Sequence, residues 1–392
     1  MQNVVKLFPS ENPSALVDRA EFTETIGLLA KLASSRSAVP ILNHIRLSSE
    51  PGGLAFAATN LDIQAETSLA ADVDARFSAA LPAAALLKLM KKGTPSNTAI
   101  LELLPDGEQS EADRFVASKC SIQLADTRFL LDVMSSDDFP NAIRHEEGAK
   151  VQRFSIASAV LWNAIDGTLD AVSTDETRYH LNGIFVHSHN GRLRFTATDG
   201  HRLYIQDTNI QTGKSEVAGI LPTEGAKLIA SLLDGHAGAM PAQVELSATV
   251  AVLVFRDVAV TVKLIDGTFP DYQRVIPAAP DKMATIEGAA FAAAVASLVD
   301  CTGAAHVKLA FEPQVLAISA KGATGEGSTE IACTYEGDTL QINFDAKYLR
   351  SAIDAASPDG KSLKIRMADA LSPAIVTGSI GGWSGVLMPT QA

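Results

Sequence analysis

Arg194–Thr208 reads RFTATDGHRLYIQDT, and Ala55–Thr67, AFAATNLDIQAET, repeats its order of signals. Each stretch alternates apolar positions up to a Thr, breaks at a short polar turn and resumes as a strand. Ala317–Thr334 is a third, looser copy, and one offset separates both Thr59 from Thr198 and Asn43 (PILNHIRL) from Asn182 (RYHLNGIFV). Helix-like runs follow the same rhythm: Val17–Ser35, Ile156–Asp175 and Ile286–Gly303 open three units, and Pro82–Gly93, Pro222–Gly235 and Phe344–Ala356 close them. A repeat of about 120 to 140 residues far exceeds the period of solenoids and propeller blades, so each unit is a domain with its own core. The sequence therefore predicts three domains, 1–145, 146–275 and 276–392.

In each opening helix the apolar residues recur at three and four: Phe22, Ile26, Leu29 and Leu32, then less regularly Val160, Ala164 and Leu169, then Phe291, Val295, Leu298 and Val299. Alternating or β-branched runs such as Ile41–Leu47, Leu193–Thr196, Val250–Phe255 and Ala259–Leu264 are punctuated by Pro51-Gly52-Gly53, Asn190-Gly191 and Glu336-Gly337. Turns this short leave no room for helical crossovers, which predicts antiparallel hairpins and an α+β domain with two helices on one side of its sheets. Ser136-Asp137-Asp138-Phe139-Pro140-Asn141 and Asp266-Gly267-Thr268-Phe269-Pro270-Asp271-Tyr272 mark the domain joints. A residue before Pro is pushed to extended backbone, which suits a strand crossing between domains.

With 47% hydrophobic and 20% charged residues among 392, the chain has enough apolar material for three cores. No apolar run approaches 18 residues and no basic leader precedes one, so the expectation is a cytoplasmic protein with no membrane span. Cys120, Cys301 and Cys333 are too few and too scattered for a disulfide framework or a CxxC metal site. A net charge of −13 repels nucleic acid on average, so any DNA contact must come from Lys and Arg gathered on one face.

VPILN (Val39–Asn43), RYHLNGI (Arg178–Ile184), TATDGHRL (Thr196–Leu203), LPTEGAKLIASLLDG (Leu221–Gly235), KLIDGTFPDYQRVIP (Lys263–Pro277) and VLMP (Val386–Pro389) together resemble the bacterial DNA polymerase sliding clamp, the β subunit. The match runs in order over nearly the whole chain. The resemblance implies three tandem clamp domains of the processivity fold, with helices lining the inner face of a head-to-tail ring dimer. It also implies a non-enzymatic, cofactor-free accessory subunit that encircles double-stranded DNA without reading sequence. Polymerase and clamp-loader subunits would dock on it through short linear peptides. Composition is compatible with this: a closed ring holds DNA by enclosure and needs only weak, sequence-blind contacts.

Arg36, in SSRSAVPIL, matches a family position that contacts DNA, and Tyr179 and His180 match positions near the DNA path. Lys88, Lys91 and Lys92 form a basic helix end on which charge and helix dipole agree, a solvated helix end being the plainer reading; Lys227, Lys347 and Arg350 are weaker candidates. The chain also departs from the pattern. Ile156–Asp175 and Ile286–Gly303 carry no Lys or Arg, Asp175 stands where the family can place a neutral DNA-contacting residue, and Thr223-Glu224 where it can place two basic ones. A divergent clamp, or a clamp-fold scaffold that binds peptides without routinely encircling DNA, is the alternative.

By resemblance the peptide pocket is built from Leu181, Thr198, Gly200, His201, Arg202, Leu203, Pro270, Val275, Val386 and Met388, with Tyr348 at its edge. Apolar walls would take Leu or Phe anchors while His201, Arg202 and backbone groups fix the peptide's polar atoms; a structural turn is the plainer reading of His201 and Arg202. The chain ends MPTQA, where the family commonly has a hydrophobic and a basic residue, so different peptides are expected at that rim. Phe129 and Leu131 match dimer-interface positions. Leu298 and Val299 are their expected counterpart, and Arg128 would face Glu326 or Glu330; core packing is the competing reading of the apolar residues.

No phosphate-binding GxxxxGK[ST] occurs, because position 208, ahead of Gly213-Lys214-Ser215, is Thr. His187 and His189 alternate on a strand-like run without a Cys or carboxylate to complete a metal set. Asp199 beside His201 suggests a hydrolase only until a nucleophile is sought, since no GxSxG accompanies them.

Overall fold

The computed structural model describes residues 12–33, 37–105, 117–213, 218–235, 240–278 and 280–391. Its helices are α1 (Arg19–Leu29), α2 (Ala83–Lys92), α3 (Ser158–Leu169), α4 (Thr223–Leu233), α5 (Gly288–Thr302) and α6 (Ala346–Ala356). Local chemistry sets their limits. Asp18 caps α1 by accepting the Glu21 N–H at 3.0 Å, and Asp345 caps α6 through the Lys347 and Tyr348 N–H groups. Gly303, at φ +65°, ends α5 by donating its N–H to Val299 O.

Phe22, Ile26 and Leu29 of α1 and Phe291, Val295 and Leu298 of α5 are buried as their spacing requires, and Leu32 is buried just beyond α1. In α3 the stripe differs from expectation. Leu161, Ala164, Ile165 and Thr168 are buried, whereas Val160 is exposed and Leu169 only half-buried. Spacings of three, four and seven lie on one helical face, and Val160 precedes Leu161 by about 100° of rotation.

The registered strand pairs are all antiparallel. Contacts divide the chain into two compact groups, 1–155 with 241–245 and 250–263, and 156–240 with 246–249 and 264–392. Sequence repeat and contact grouping thus cut the chain differently. The reason lies in the backbone: Ile63–Ala70 of the first repeat pairs with Val258–Lys263 of the second, so that hairpin joins the first group. In the other group Arg202–Gln211 pairs with Trp383–Leu387, which makes the sheets of the second and third repeats one twelve-stranded sheet.

Two of the open strand edges bear on assembly. Thr127–Asp132 is the last strand of the five-stranded sheet. In Gly325–Glu336, the segment 325–332 pairs only with Val315–Gly322, and Cys333–Glu336 alone continues to the strand Lys282–Glu287.

Candidate functional site

The turn that the sequence repeats is one structure built twice. Thr198 donates its hydroxyl to Arg202 O at 2.7 Å and accepts the Gly200 N–H at 3.1 Å, while Asp199 Oδ1 accepts the His201 and Arg202 N–H groups at 2.9 and 3.0 Å. In the first repeat Thr59 donates to Ile63 O at 2.8 Å and accepts the Leu61 N–H, and Asn60 Oδ1 accepts the Asp62 and Ile63 N–H groups. Asp or Asn satisfying backbone donors two and three residues on is what makes the turn tight. The pivot is Gly200 at φ +92° in one copy and Leu61 at φ +80° in the other. The third stretch, Ala317–Thr334, is instead a plain hairpin of two paired strands.

What surrounds the two turns differs. Beside the second, Leu181, Leu203, Ile205, Ile220, Phe269, Tyr272 and Val386 form one buried cluster, with Leu203 directly opposite Val386 across the strand pair. Val275 and Met388 stay 46% and 41% exposed, and Pro270 and His201 are exposed. Unpaired apolar surface over an apolar floor is the signature of a site for a side chain from elsewhere. Around the first turn the corresponding strand position is Gln64, buried, whose Oε1 accepts the Ile143 N–H at 3.0 Å, and Lys263 sits 3.6 Å from Asp62. The linker therefore closes over that copy, and a polar side chain fills its floor.

The C-terminal segment is held to the second turn. Met388 donates its N–H to His201 O at 3.1 Å, and Thr390 donates to Asn343 O at 2.8 Å. The Tyr348 ring stacks on His201 with centroids 5.6 Å apart. Burial, with Asp199 and Asp345 nearby, raises the Tyr348 pKa, so the ring meets a ligand as a neutral phenol.

Arg202 does something other than expected. It is buried, with Nε on Asp199 Oδ2 at 3.2 Å, Nη1 on Ser351 Oγ at 2.6 Å and Nη2 on Asp170 O. Its guanidinium also lies 4.9 Å from the Tyr348 ring centroid and 5.5 Å from that of Tyr204. Three of its five N–H donors, one on each nitrogen, are engaged inside the chain, so it ties the turn to α6 and the end of α3. Nothing in the sequence marked Ser351 or Asp170 as its partners, which are distant in the chain.

A cavity of about 860 Å³ shares His201, Arg202 and Tyr348 with this site and is otherwise lined by charged groups, among them Asp170, Lys227, Arg350 and Asp354, mixed with apolar ones such as Leu169, Val172 and Val299. Burial, then Asp170 and Asp234, raises the Asp166 pKa. Burial also raises that of Asp354, with Arg350 opposing and Asp170 reinforcing.

Of the cationic candidates, Lys88, Lys91, Lys92, Lys227 and Lys347 are exposed and without an ion pair among the described residues. Arg350 is paired with Asp300 at 3.0 Å across α5 and α6, both side chains largely exposed. Tyr179 is exposed and His180 half-buried on the turn Glu176–Leu181, which Asp175 caps. The Thr177 hydroxyl, then its N–H, then Arg178 hold the Asp175 carboxyl below its ordinary pKa. Arg36 lies outside the described residues.

Among the interface candidates, Phe129 and Leu131 are half-buried on the open edge strand, and Leu130 between them is 56% exposed. Arg128 already bonds Ser121 Oγ at 2.6 Å and Glu102 at 2.9 Å, and Glu326 lies 3.5 Å from Lys321. Leu298 is buried and faces Gly327, whose added Cβ would lie 3.0 Å from it; it is core packing in its own domain, while Val299 is half-buried.

Three consecutive domain models of the DNA polymerase III beta subunit match this chain, the N-terminal domain over residues 15–143, the central domain over 155–271 and the C-terminal domain over 273–389. The chain belongs to the DNA polymerase III β-subunit family. Its relatives include the beta sliding clamp of Caulobacter vibrioides, 31% identical over 96% of this chain and 99% of that protein. The beta sliding clamp of Pseudomonas aeruginosa is 27% identical over 92% and 94%.

Among solved β clamps, that of C. crescentus, with polyethylene glycol bound to a putative beta-motif tethering region, superposes with a TM-score of 0.87 at 30% identity, covering 98% of this chain and all of the other. One from Bartonella birtlesii bound to griselimycin gives 0.86 at 29% identity over 97% of this chain and all of that one. The fold is therefore three tandem clamp domains, and this β-family chain is an accessory subunit, not an enzyme.

Proposed function

We propose that this chain is a DNA sliding clamp, whose two copies close head to tail into a ring around duplex DNA and recruit DNA enzymes through the apolar site beside the Thr198–Arg202 turn. The observation that carries the recruitment half is the exposure of Val275 and Met388, each in a segment that also supplies the buried cluster of Leu181, Leu203, Tyr272 and Val386. One or two Leu or Phe anchors of a linear peptide suit that cluster. Backbone groups of the turn, the Pro270 and Val275 wall and the His201–Tyr348 stack supply the rest, with Gly200 permitting close approach. Polymerase and clamp-loader subunits are the partners proposed, in the cytoplasm.

Two open strand edges support ring closure. Thr127–Asp132 of one copy, with Phe129 and Leu131, can extend the sheet of the next through 325–332, and two such contacts close a two-membered ring. The helices then supply a sparse set of cations, Lys88, Lys91, Lys92, Lys227 and Lys347, with Arg36, Tyr179 and His180 nearby in the proposal. Sequence-blind, weak contact of this kind favours sliding over holding.

Loading the protein with its clamp loader onto nicked circular plasmid, then linearising the plasmid, tests encirclement. Retention on the circle and release from the linear form are expected, and equal retention on both sinks the ring. A second reading, a clamp-fold scaffold for peptides that does not encircle DNA, is favoured by the base-free α3 and α5 and by the engaged Arg350. It predicts peptide binding with no retention on either plasmid.

A further inference from the structure

His187, set aside as a metal ligand, lies in a polar row that the site above does not use. Register aligns His187 opposite Arg194, and Arg194 opposite Asp207, on three adjacent strands. Arg194 forks onto Asp207 at 2.6 and 2.8 Å and donates from Nη1 to the Tyr272 hydroxyl at 3.1 Å. The same hydroxyl is 3.1 Å from His187 Nε2, and His187 Nδ1 is 3.1 Å from Ser188 O.

A carbonyl only accepts, so Nδ1 carries the proton, Nε2 is the acceptor, and Tyr272 donates its O–H to it while receiving the Arg194 N–H. Each polar atom of this chain of bonds has one complementary partner. The ring of His187 stacks on Phe185 at 4.4 Å, and Phe185 stacks on Phe269 at 4.8 Å, so the histidine is wedged in an aromatic column. Burial pushes its pKa down to about 4, the Ser188 carbonyl acting the other way, which keeps the imidazole neutral near pH 7.

Both Tyr272 and Phe269 belong to the segment that makes the pocket wall: Pro270 lies between them, and Val275 ends the single turn Tyr272–Val275. The apolar cluster seats the Tyr272 ring, and few other polar ties fix the turn. Among the described residues its backbone bonds are local, Tyr272 N–H to Pro270 O and Ile276 N–H to Gln273 O, and its other side-chain bonds are Gln273 to His189 at 3.3 Å and Arg274 to Asp271 at 2.8 Å, the latter within the segment itself.

We propose that Arg194 and His187 are positioning residues for peptide binding: by gripping the Tyr272 hydroxyl from both sides they set where the Pro270–Val275 wall stands over the Leu181–Leu203–Val386 floor. The inference rests on the peptide-pocket reading and deepens it. Neither residue touches the peptide. Their effect is pre-organisation, since a wall already in place need not be ordered when the peptide arrives.

Tyr272→Phe deletes the hydroxyl alone and leaves the apolar ring in its cluster. The assay is fluorescence anisotropy of the full-length protein with a fluorescein-labelled hexapeptide ending Leu-Phe, against a control peptide ending Ala-Ala. Wild type should bind the first and not the second; if it binds neither, the pocket reading itself fails. Given that binding, Tyr272→Phe should weaken it about three- to tenfold, because the two lost hydrogen bonds reach the peptide only through the placing of the wall, while the dimer is unchanged by analytical ultracentrifugation. Affinity equal to wild type overturns the proposal, even if the melting temperature drops.

Nitrogen-15 correlation spectra give a second reading that packing alone would not move. The wild-type His187 ring should be protonated at Nδ1, and Tyr272→Phe should mix the tautomers. A wild-type proton on Nε2 overturns the proposal. If Tyr272→Phe does not fold, Arg194→Met carries the test with the same expected weakening, and unaltered affinity there is equally fatal.

Discussion

Replacing Arg202 with Met tests the claim that this residue braces the peptide site and does not bind peptide. The substitution keeps the volume of the aliphatic stem and removes three bonds, to Asp199, Ser351 and Asp170 O, together with cation contacts to Tyr204 and Tyr348. Hydrogen bonds to a charged group contribute about 1.5–3 kcal/mol each, an upper limit of several kcal/mol for the set. Three facts lower it. Asp199 keeps the His201 and Arg202 N–H donors, Ser351 keeps the Tyr204 hydroxyl at 3.0 Å and Asp170 Oδ2 at 3.2 Å, and a buried guanidinium no longer has to be desolvated. The net expectation is a loss of about 2–4 kcal/mol, which at about 2–4 °C per kcal/mol lowers the melting transition of the group 156–240, 246–249 and 264–392 by about 4–16 °C. Scanning calorimetry of wild type, Arg202→Met and Arg202→Lys measures it. Lys retains the charge but not the fork, so it should recover less than half of the loss. Peptide affinity should fall together with stability, because the His201–Tyr348 stack loses its backing. A variant within about 1 kcal/mol of wild type whose peptide binding is nonetheless abolished would show Arg202 to be a direct ligand, and the bracing argument would be refuted.

The duplicated turn makes an asymmetric prediction. Gly200→Ala places a Cβ 2.9 Å from Arg178 Nη1 at φ +92° and should cost about 1–2 kcal/mol by urea titration, whereas Leu61→Gly, at φ +80° and 45% exposed, should be near neutral because strain relief offsets the added freedom of the unfolded chain. His187 imposes a pH dependence. Its folded pKa, about 4, lies below the ordinary 6.5, so its contribution is whole above about pH 6.5 and lost as pH falls towards 4; by pH 5 about 2 kcal/mol should be gone, and His187→Gln should flatten that slope between pH 7 and 5. Phe129→Ala with Leu131→Ala should give monomers by sedimentation with little loss of melting temperature, whereas Leu298→Ala should lower stability by about 2–4 kcal/mol because Leu298 packs on its own sheet. Monomers from Leu298→Ala with unchanged stability would reverse that assignment.

The sequence by itself determined what depends on neighbours in the chain. The helical spacing of Phe22, Ile26 and Leu29, the Asp18 and Asp345 caps, the Thr-Asp-Gly turn and the order of three repeats follow from local sterics and periodicity, and the motif order sufficed to find the family. It misjudged α3, where Gly167, Ala164 and Thr168 blur the apolar stripe that Leu161 and Ile165 anchor.

Tertiary structure alone decided which partner each polar group takes. Arg202 meets Ser351, Arg194 meets Tyr272, Arg350 meets Asp300, and Gln64 closes the first turn while Leu203 leaves the second open. These pairings join residues far apart along the chain. Burial makes the matches of Arg202, Arg194 and Gln64 compulsory, because a polar group removed from water must be matched by whatever the fold brings within about 3 Å, whereas the exposed Arg350–Asp300 pair follows from the meeting of α5 and α6; no local pattern encodes any of these neighbours.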